Sequence, residues 1–269
     1  MGRRLGQHLL RSPAVLQAIA RLAAVQPGER VLEVGPGMGA LTEVLLAAGA
    51  YVTAVEVDPA FAQSLGGRWG QHERFRLIQA DVRKLDLDGP ALFGSTGSYA
   101  VIANLPYYLT TPLLFRFIRQ RAQISRMLLM VQREVAQRLV AAPGSGHAYG
   151  SLSVAAQIAF TMRLALHVPP GAFAPPPKVH SAVVQFLPRP ALLPAHAEAE
   201  FLEHVQGLFS FRRKRLMGTL QRHDPPWPAQ RLALAAPLVG ERRPETLSAL
   251  EHLRVFCLLR GLPAPADTA

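Results

Sequence analysis

The sequence has almost no cysteine and very little lysine. Cys257 is the only thiol in 269 residues, which excludes an intrachain disulfide and a Cys-rich zinc site and fits a reducing compartment. Lysine occurs only at Lys84, Lys178 and Lys214, so the basic groups are nearly all arginine. No apolar run reaches membrane-spanning length, and no secretory hydrophobic segment precedes Pro13. The expected location is the cytoplasm, with no membrane partner. Acidic residues are also in deficit, 18 against 29 basic ones, for a formal net charge of +11. Hydrophobic residues make up 49% of the chain, enough for a packed core. A packed core under a strongly basic surface points to a polyanionic partner, with nucleic acid ahead of an acidic membrane. The length suits one large domain or one domain with a small appendage.

The stretch that organises the chain is Asn104-Leu105-Pro106-Tyr107, which follows an apolar strand over 99–103. It places an amide, a stiff turn and an aromatic face at the carboxyl end of a strand, where open α/β sheets bind ligands. Such a platform suits an aromatic amine as nucleophile. The Asn104 amide oxygen and a nearby backbone carbonyl would accept its N–H bonds and stabilise the charge that develops on nitrogen. Tyr107 would offer a stacking face. On these residues alone, a plain Pro turn with a core tyrosine fits equally well.

The remaining elements surround that stretch. Ser12-Pro13 starts a helix running to about residue 25; the basic segment before it is either a frayed terminus or a cover for a small ligand. A strand over 30–34, the turn Gly35-Pro36-Gly37-Met38-Gly39 and a helix over 40–48 form a nucleotide-binding opening. The spacing G-x-G-x-G is not the dinucleotide fingerprint G-x-G-x-x-G. A strand over 51–55 ends in Glu56, which is placed to accept both hydroxyls of a ribose. A third strand over 75–79 leads to Asp81, either a loop cap or an acceptor for the amine of a nucleoside cofactor. The segment 86–98 reads as an exposed loop. A helix to about residue 119, a strand over 126–131, helices over 134–140 and 151–160, and strands over 162–167 and 180–186 complete a mainly parallel sheet. The Pro-rich loop over 168–179 is stiff, with Phe173 as a possible wall of a target pocket.

Residues 188–194 read as a linker. Helices follow over 198–209, 213–222 and 246–259. Arg212-Arg213-Lys214-Arg215, with Arg222, makes a basic helix start. Cations there oppose the helix dipole, and a phosphate backbone is the natural compensation. The expected division is a first domain over 1–187 and a helical RNA- and ribosome-contacting domain over 188–269.

Together these motifs resemble the RNA adenine N6,N6-dimethyltransferases, and among them the bacterial small-subunit rRNA enzymes. The resemblance runs from Gly6-Gln7-His8-Leu9-Leu10 through Glu33-Val34-Gly35-Pro36-Gly37, Glu56, Asp81, Asn104-Leu105-Pro106-Tyr107, Gln132-Arg133-Glu134-Val135 and Ala148-Tyr149-Gly150. It continues through Phe173-Ala174-Pro175-Pro176-Pro177-Lys178-Val179-His180-Ser181 to Phe211-Arg212-Arg213-Lys214. It implies a Rossmann-like class I methyltransferase sheet with a small C-terminal helical domain, and S-adenosylmethionine as donor. By motif position, His8, Leu10 and Gly35 line the methionine end, Glu56 holds the ribose, Asp81 the adenine, and Asn104 faces both cofactor and target. Asn104, Leu105, Pro106, Tyr107 and Phe173 form the catalytic set, and no metal is implied. The implied substrate is two adjacent adenosines in the 3′-terminal hairpin of small-subunit rRNA, on an immature small ribosomal subunit, with a monomeric enzyme. Family members often carry Asn at the position of His8; neutral imidazole also offers a donor and an acceptor, with a different reach. A large-subunit methyltransferase of the macrolide-resistance type and an RNA-binding assembly factor are the alternatives. An NAD-dependent oxidoreductase fits the first strand and turn but not the glycine spacing, the tetrapeptide or the charge.

Overall fold

The structure, a computed structural model, describes residues 8–222 and 226–265. Gly6 and Gln7 of the amino-terminal motif, Pro225, and the last four residues of the chain lie outside the described residues. Contacts group the chain into two units. The first holds the described residues up to Ala136 together with Met162–Pro188; the second holds Gln137–Thr161 and the described residues from Arg189 onward. The sequence suggests a single break near 187–188. The second unit is instead discontinuous, because residues 137–161 pack with the later helices.

The first unit runs β1 (Leu9–Leu10), α1 (Pro13–Ala23), β2 (Arg30–Val34), α2 (Ala40–Ala47), β3 (Tyr51–Glu56), α3 (Pro59–Trp69), β4 (Phe75–Gln79), α4 (Gly89–Phe93), β5 (Tyr99–Asn104), α5 (Thr110–Arg119) and β6 (Ile124–Gln132). After α6 (Arg133–Leu139) and α7 (Ser151–Ala159) come β7 (Phe160–Val168), β8 (Phe173–Ala174) and β9 (Ser181–Pro188). Among the described residues, seven strands form one sheet in the order β4-β3-β2-β5-β6-β9-β7. The five strands from β4 to β6 are mutually parallel, and β9 is antiparallel to β6. The central strands are apolar almost throughout, as burial on both faces demands.

The chain order reverses between β2 and β5. β2 continues outward to β3 and β4, whereas β5 continues to β6 on the other side. A crevice opens at such a switch point, beyond the strands' carboxyl ends. Helix starts are set locally: the Ser12 hydroxyl accepts from the Val15 amide before Pro13, and the Asp58 carboxylate accepts from the Ala60 amide before Pro59.

Two expectations for local structure fail for identifiable reasons. The segment 86–98 is not a simple exposed loop. Leu87 and Leu92 are fully buried around α4, the Tyr99 hydroxyl donates to the Leu87 carbonyl at 2.7 Å, and the Gly89 amide donates to the Gln123 side chain at 2.6 Å. The expected helix over 213–222 forms only in its middle, as α9 (Leu216–Leu220), after α8 (Ala195–Ser210) and a turn that holds Arg213 and Lys214. The second unit also contains α10 (Ala229–Val239), hidden in the sequence by Pro237, and ends with α11 (Ala249–Arg260). Pro237 lies in the last turn of α10, where its missing amide leaves the Ala233 carbonyl without its usual helical donor. α11 has a full capping box: the Ser248 hydroxyl accepts from the Glu251 amide, and the Glu251 carboxylate accepts from the Ser248 amide. Tyr149 of the Ala148-Tyr149-Gly150 motif is buried in this unit, with its ring 6.2 Å from that of Phe209.

Candidate active site

A cavity of about 380 Å³ lies at the switch point. It is lined by the glycine turn after β2, the end of β3, the segment after β4, the end of β5, and β1 and β8. His8, Leu10, Gly35, Glu56, Asp81, Asn104, Leu105, Pro106, Tyr107 and Phe173 all line it. The structure therefore brings together every cofactor and target residue proposed from the sequence.

The glycine turn and the tetrapeptide touch. Gly35 has φ +68°, and a Cβ there would lie 3.4 Å from the Pro106 ring. Gly37, at φ +56°, lies under Leu9, whose side chain would meet a Cβ at 2.8 Å. Both positions need glycine for conformation, and Gly37 needs it for space as well. Leu9 is held there because β1 pairs with β8, Leu9 opposite Ala174 and Leu10 opposite Phe173. The segment before α1 is thus a cover fastened to the Pro-rich loop, and Phe173 is buried beside the cavity rather than carried on a free loop.

Glu56 is buried and strictly oriented. Its Oε1 accepts from the Val57 and Asp58 amides, both at 2.9 Å, and its Oε2 accepts from the Gly37 amide at 3.1 Å. Oε1 already takes two donors, whereas Oε2 keeps one open lone pair that can accept a hydroxyl. Asp81 is held by Arg83, whose Nη2 donates at 2.6 Å and whose amide donates at 2.9 Å. These bonds hold the Asp81 carboxyl down at about 2, so it is ionised as an acceptor.

Asn104 ends β5, and the next amide, that of Leu105, donates to the Met130 carbonyl at 3.1 Å. This ties the tetrapeptide to β6. The Leu109 amide donates to the Pro106 carbonyl, closing a single 3₁₀ turn that begins at Tyr107. The Tyr107 hydroxyl lies 2.9 Å from the Ser181 hydroxyl on β9, which fixes the ring. His8 packs against the same ring, centroids 5.9 Å apart, and its Nδ1 lies 2.8 Å from the Pro175 carbonyl. A carbonyl only accepts, so Nδ1 carries the hydrogen and the neutral ring keeps Nε2 as its acceptor. His8 can therefore supply the acceptor that an Asn would supply at that position.

Glu33 is the residue that sequence reasoning missed. It sits inside β2, lines the cavity, and its Oε2 accepts from the Thr42 hydroxyl at 2.6 Å. Burial raises its pKa from the usual 4.5 to about 8, and the neighbouring Glu56 charge adds to the rise. A carboxylate in the middle of an apolar strand was itself a signal, because an unpaired buried charge is costly. Below pH 4.5 this group is protonated in both folded and unfolded chains. From there to pH 8 only the unfolded chain ionises, so stability falls by about 1.4 kcal/mol per pH unit. In the cofactor-free protein, Glu33→Gln is expected to raise the urea midpoint progressively over wild type between pH 5 and 8. Midpoints that stay parallel across that range would refute the buried proton.

The basic cluster of the second unit divides by role. Arg212 is structural: its Nη2 donates to the Gly146 carbonyl at 2.8 Å, and its Nε faces Glu245 at 3.5 Å. Arg215 pairs with Glu241. Arg213, Lys214 and Arg222 are exposed. Among the described residues, no group of three or more His, Cys, Asp or Glu side chains is placed to hold a metal ion, and no helix is long and apolar enough to cross a membrane.

A glycine turn, an oriented carboxylate and an Asn-Leu-Pro-Tyr platform around one crevice define a class I methyltransferase whose target is an aromatic amine. The chain belongs to the ribosomal RNA adenine dimethylase family, whose family model matches residues 2–254. It is 41% identical over 267 residues to the ribosomal RNA small subunit methyltransferase A of Thermosynechococcus vestitus, covering 97% of each chain. It is 44% identical over 227 residues to the protein of the same name from Synechococcus sp. strain JA-3-3Ab, covering 81% of this chain and 78% of the relative. In structure it is similar to a dimethyladenosine transferase from Plasmodium falciparum (TM-score 0.75, 23% identity, 94% of this chain and 98% of that one). It is also similar to the 23S rRNA methyltransferase ErmE (TM-score 0.69, 25% identity, 94% and 99% covered). The protein is an rRNA adenine dimethyltransferase that uses S-adenosylmethionine.

Proposed function

We propose that the protein dimethylates N6 of two adjacent adenosines in the 3′-terminal hairpin of small-subunit rRNA, acting as a cytoplasmic monomer on the immature small ribosomal subunit. The observation that carries the reading is the Asn104-to-Tyr107 platform facing the cavity that Glu56 also lines. The small-subunit assignment over a large-subunit one is supported by relatives of that name, matched over nearly the full chain.

The residues fit the donor. The glycine turn, where a Cβ at Gly37 would collide with Leu9, and the open lone pair of Glu56 Oε2 suit a nucleoside with a free ribose. Glu56 would hold the ribose, Asp81 the adenine amine, and His8, Leu10 and Gly35 the methionine end. When bound, S-adenosylmethionine supplies an electrophilic methyl group on a sulfonium. The protein supplies position and electrostatics. Asn104 Oδ1 and a backbone carbonyl of the tetrapeptide accept the target N–H bonds and draw the lone pair out of conjugation with the ring. Tyr107, fixed through Ser181, stacks on one face of the base, and Phe173 closes the other side. The amine becomes acidic once methylated and loses its proton to water or a carbonyl, so no strong base is required.

The direct test is transfer of labelled methyl groups to undermethylated small subunits, with large-subunit RNA in parallel and digestion to nucleosides. Dimethyladenosine from the small subunit alone is the expected result; label in large-subunit RNA would reassign the target. For RNA contact by the second unit, Arg213→Glu with Lys214→Glu is expected to weaken subunit binding about tenfold or more. The log–log salt slope should flatten by about two, one per lost phosphate contact. An unchanged slope would make these residues a solvated face.

A further inference from the structure

We infer that a second cavity, inside the helical unit, binds one unpaired nucleotide of an RNA strand. The inference rests on the rRNA reading above and adds a site to it. The cavity has a volume of about 800 Å³ and is lined by residues from α8, α9, α10 and α11, the turns that follow α8 and α9, and the segment before α10. It lies wholly within the second unit, apart from the methyl-transfer cavity.

Its chemistry is aromatic and cationic together. Phe211 is 52% exposed, an unusual state for a phenylalanine on a well-packed unit. Lys214 Nζ lies 5.5 Å from the centre of the Phe211 ring. Trp227 lines the same cavity, with the Arg260 guanidinium 5.9 Å from its ring centre. Arg222 adds a further positive group. The carboxylates present are Glu200 and Glu203, and Glu200 is already paired with Arg260. Against Glu203 stand Lys214, Arg222 and Arg231, so the lining keeps a net positive charge for an anion.

A ligand for this site needs a flat π face for Phe211 or Trp227 and a phosphate for Lys214 and Arg222. An unpaired nucleotide carries both on one residue, and stacking of this kind tolerates any base. Bases within a duplex are already stacked and cannot present a face to a concave aromatic site. An acidic peptide would satisfy the cations but not the rings. The net charge of +11 would draw the strand to this surface.

The test uses the full chain with Trp69→Phe, which leaves Trp227 as the only indole. Hexauridylate RNA is titrated at fixed salt, with a 12-base-pair RNA duplex and hexaglutamate as comparisons. Uridines give the methyl-transfer site no target amine. Expected results are quenching of Trp227 emission by hexauridylate and about tenfold weaker binding after Phe211→Ala. Lys214→Ala with Arg222→Ala should flatten the salt slope by about two. Anisotropy of labelled hexauridylate on the wild-type background repeats the Phe211→Ala comparison, so the test does not depend on how Trp69→Phe folds. Saturated binding with no Trp227 quench, unchanged affinity in Phe211→Ala, or equal competition by the duplex or hexaglutamate would overturn the site. Dimethylation of small subunits is assayed on the same preparations. Dimethylation without hexauridylate binding would sink this inference and leave the proposed function standing; failure of wild type to dimethylate small subunits would sink the function first.

Discussion

Asn104→Ala is expected to reduce methyl transfer by at least about 10³-fold while RNA binding and folding stay close to wild type. The side chain is the one amide at the platform, and it lines the cavity next to Pro106 and Tyr107. Loss of one hydrogen-bond partner aimed at developing charge costs about 10²–10³ in turnover. Asn104 faces two groups, so the expected loss lies at or beyond the top of that range. The backbone is held independently, by β5 pairing and by the Leu105 amide on the Met130 carbonyl, so truncation should leave the turn in place. Asn104→Asp keeps an acceptor and should retain more activity than the alanine variant. Single-turnover transfer to small subunits, with subunit binding measured beside it, separates chemistry from docking. Activity within tenfold of wild type in Asn104→Ala would remove the amide from the mechanism.

The second large effect is expected at Glu56, and it falls on cofactor affinity. Glu56→Ala removes a charged acceptor for a ribose hydroxyl, a bond worth about 1.5–3 kcal/mol. That amounts to about one to two decades in dissociation constant. The same substitution strips the Gly37, Val57 and Asp58 amides of their acceptor. The Gly37 amide is buried, and leaving it unpaired costs about 1–3 kcal/mol of stability. Glu56→Gln preserves the shape but turns an amide NH₂ toward one set of those backbone donors, so it should also bind poorly. Calorimetric titration with S-adenosylmethionine, with a thermal melt of each variant, reads both effects. Affinity within threefold of wild type would exclude the ribose role.

Much of this was legible in the sequence because the relevant signals are local. Strand, glycine turn, helix and a terminal acidic residue recur with short spacing, and Glu56 and Asp81 stand where that pattern places them. Buried parallel strands read as unbroken apolar runs, so β2, β3 and β5 were found within a residue of their ends. Long-range features were not legible. Nothing in Leu9-Leu10 announces a strand partner at Phe173-Ala174, and the tie between Tyr107 and Ser181 joins residues 74 positions apart. Arg83 beside Asp81 was overlooked because a flanking arginine on a basic chain carries no distinctive mark. The second unit was harder still. α9 is only five residues long, α10 carries Pro237, and Arg212, read as an RNA contact, donates to internal carbonyls and Glu245. Charge runs reveal composition, while only packing reveals which members remain available.

The pairing of β1 with β8 has a consequence for how the enzyme comes into being. The hydrogen bond from His8 to Pro175 spans 167 positions. On the ribosome, the cover over the glycine turn has no partner until nearly two-thirds of the chain has emerged. A nascent chain can build the early strands and helices, yet it lacks the Phe173 wall and the anchor for His8. Closing so long a loop is entropically expensive and belongs to the slow part of folding. Catalytic competence therefore arrives late and all at once, and a prematurely terminated chain would carry the glycine turn and Glu56 without a closed site around them.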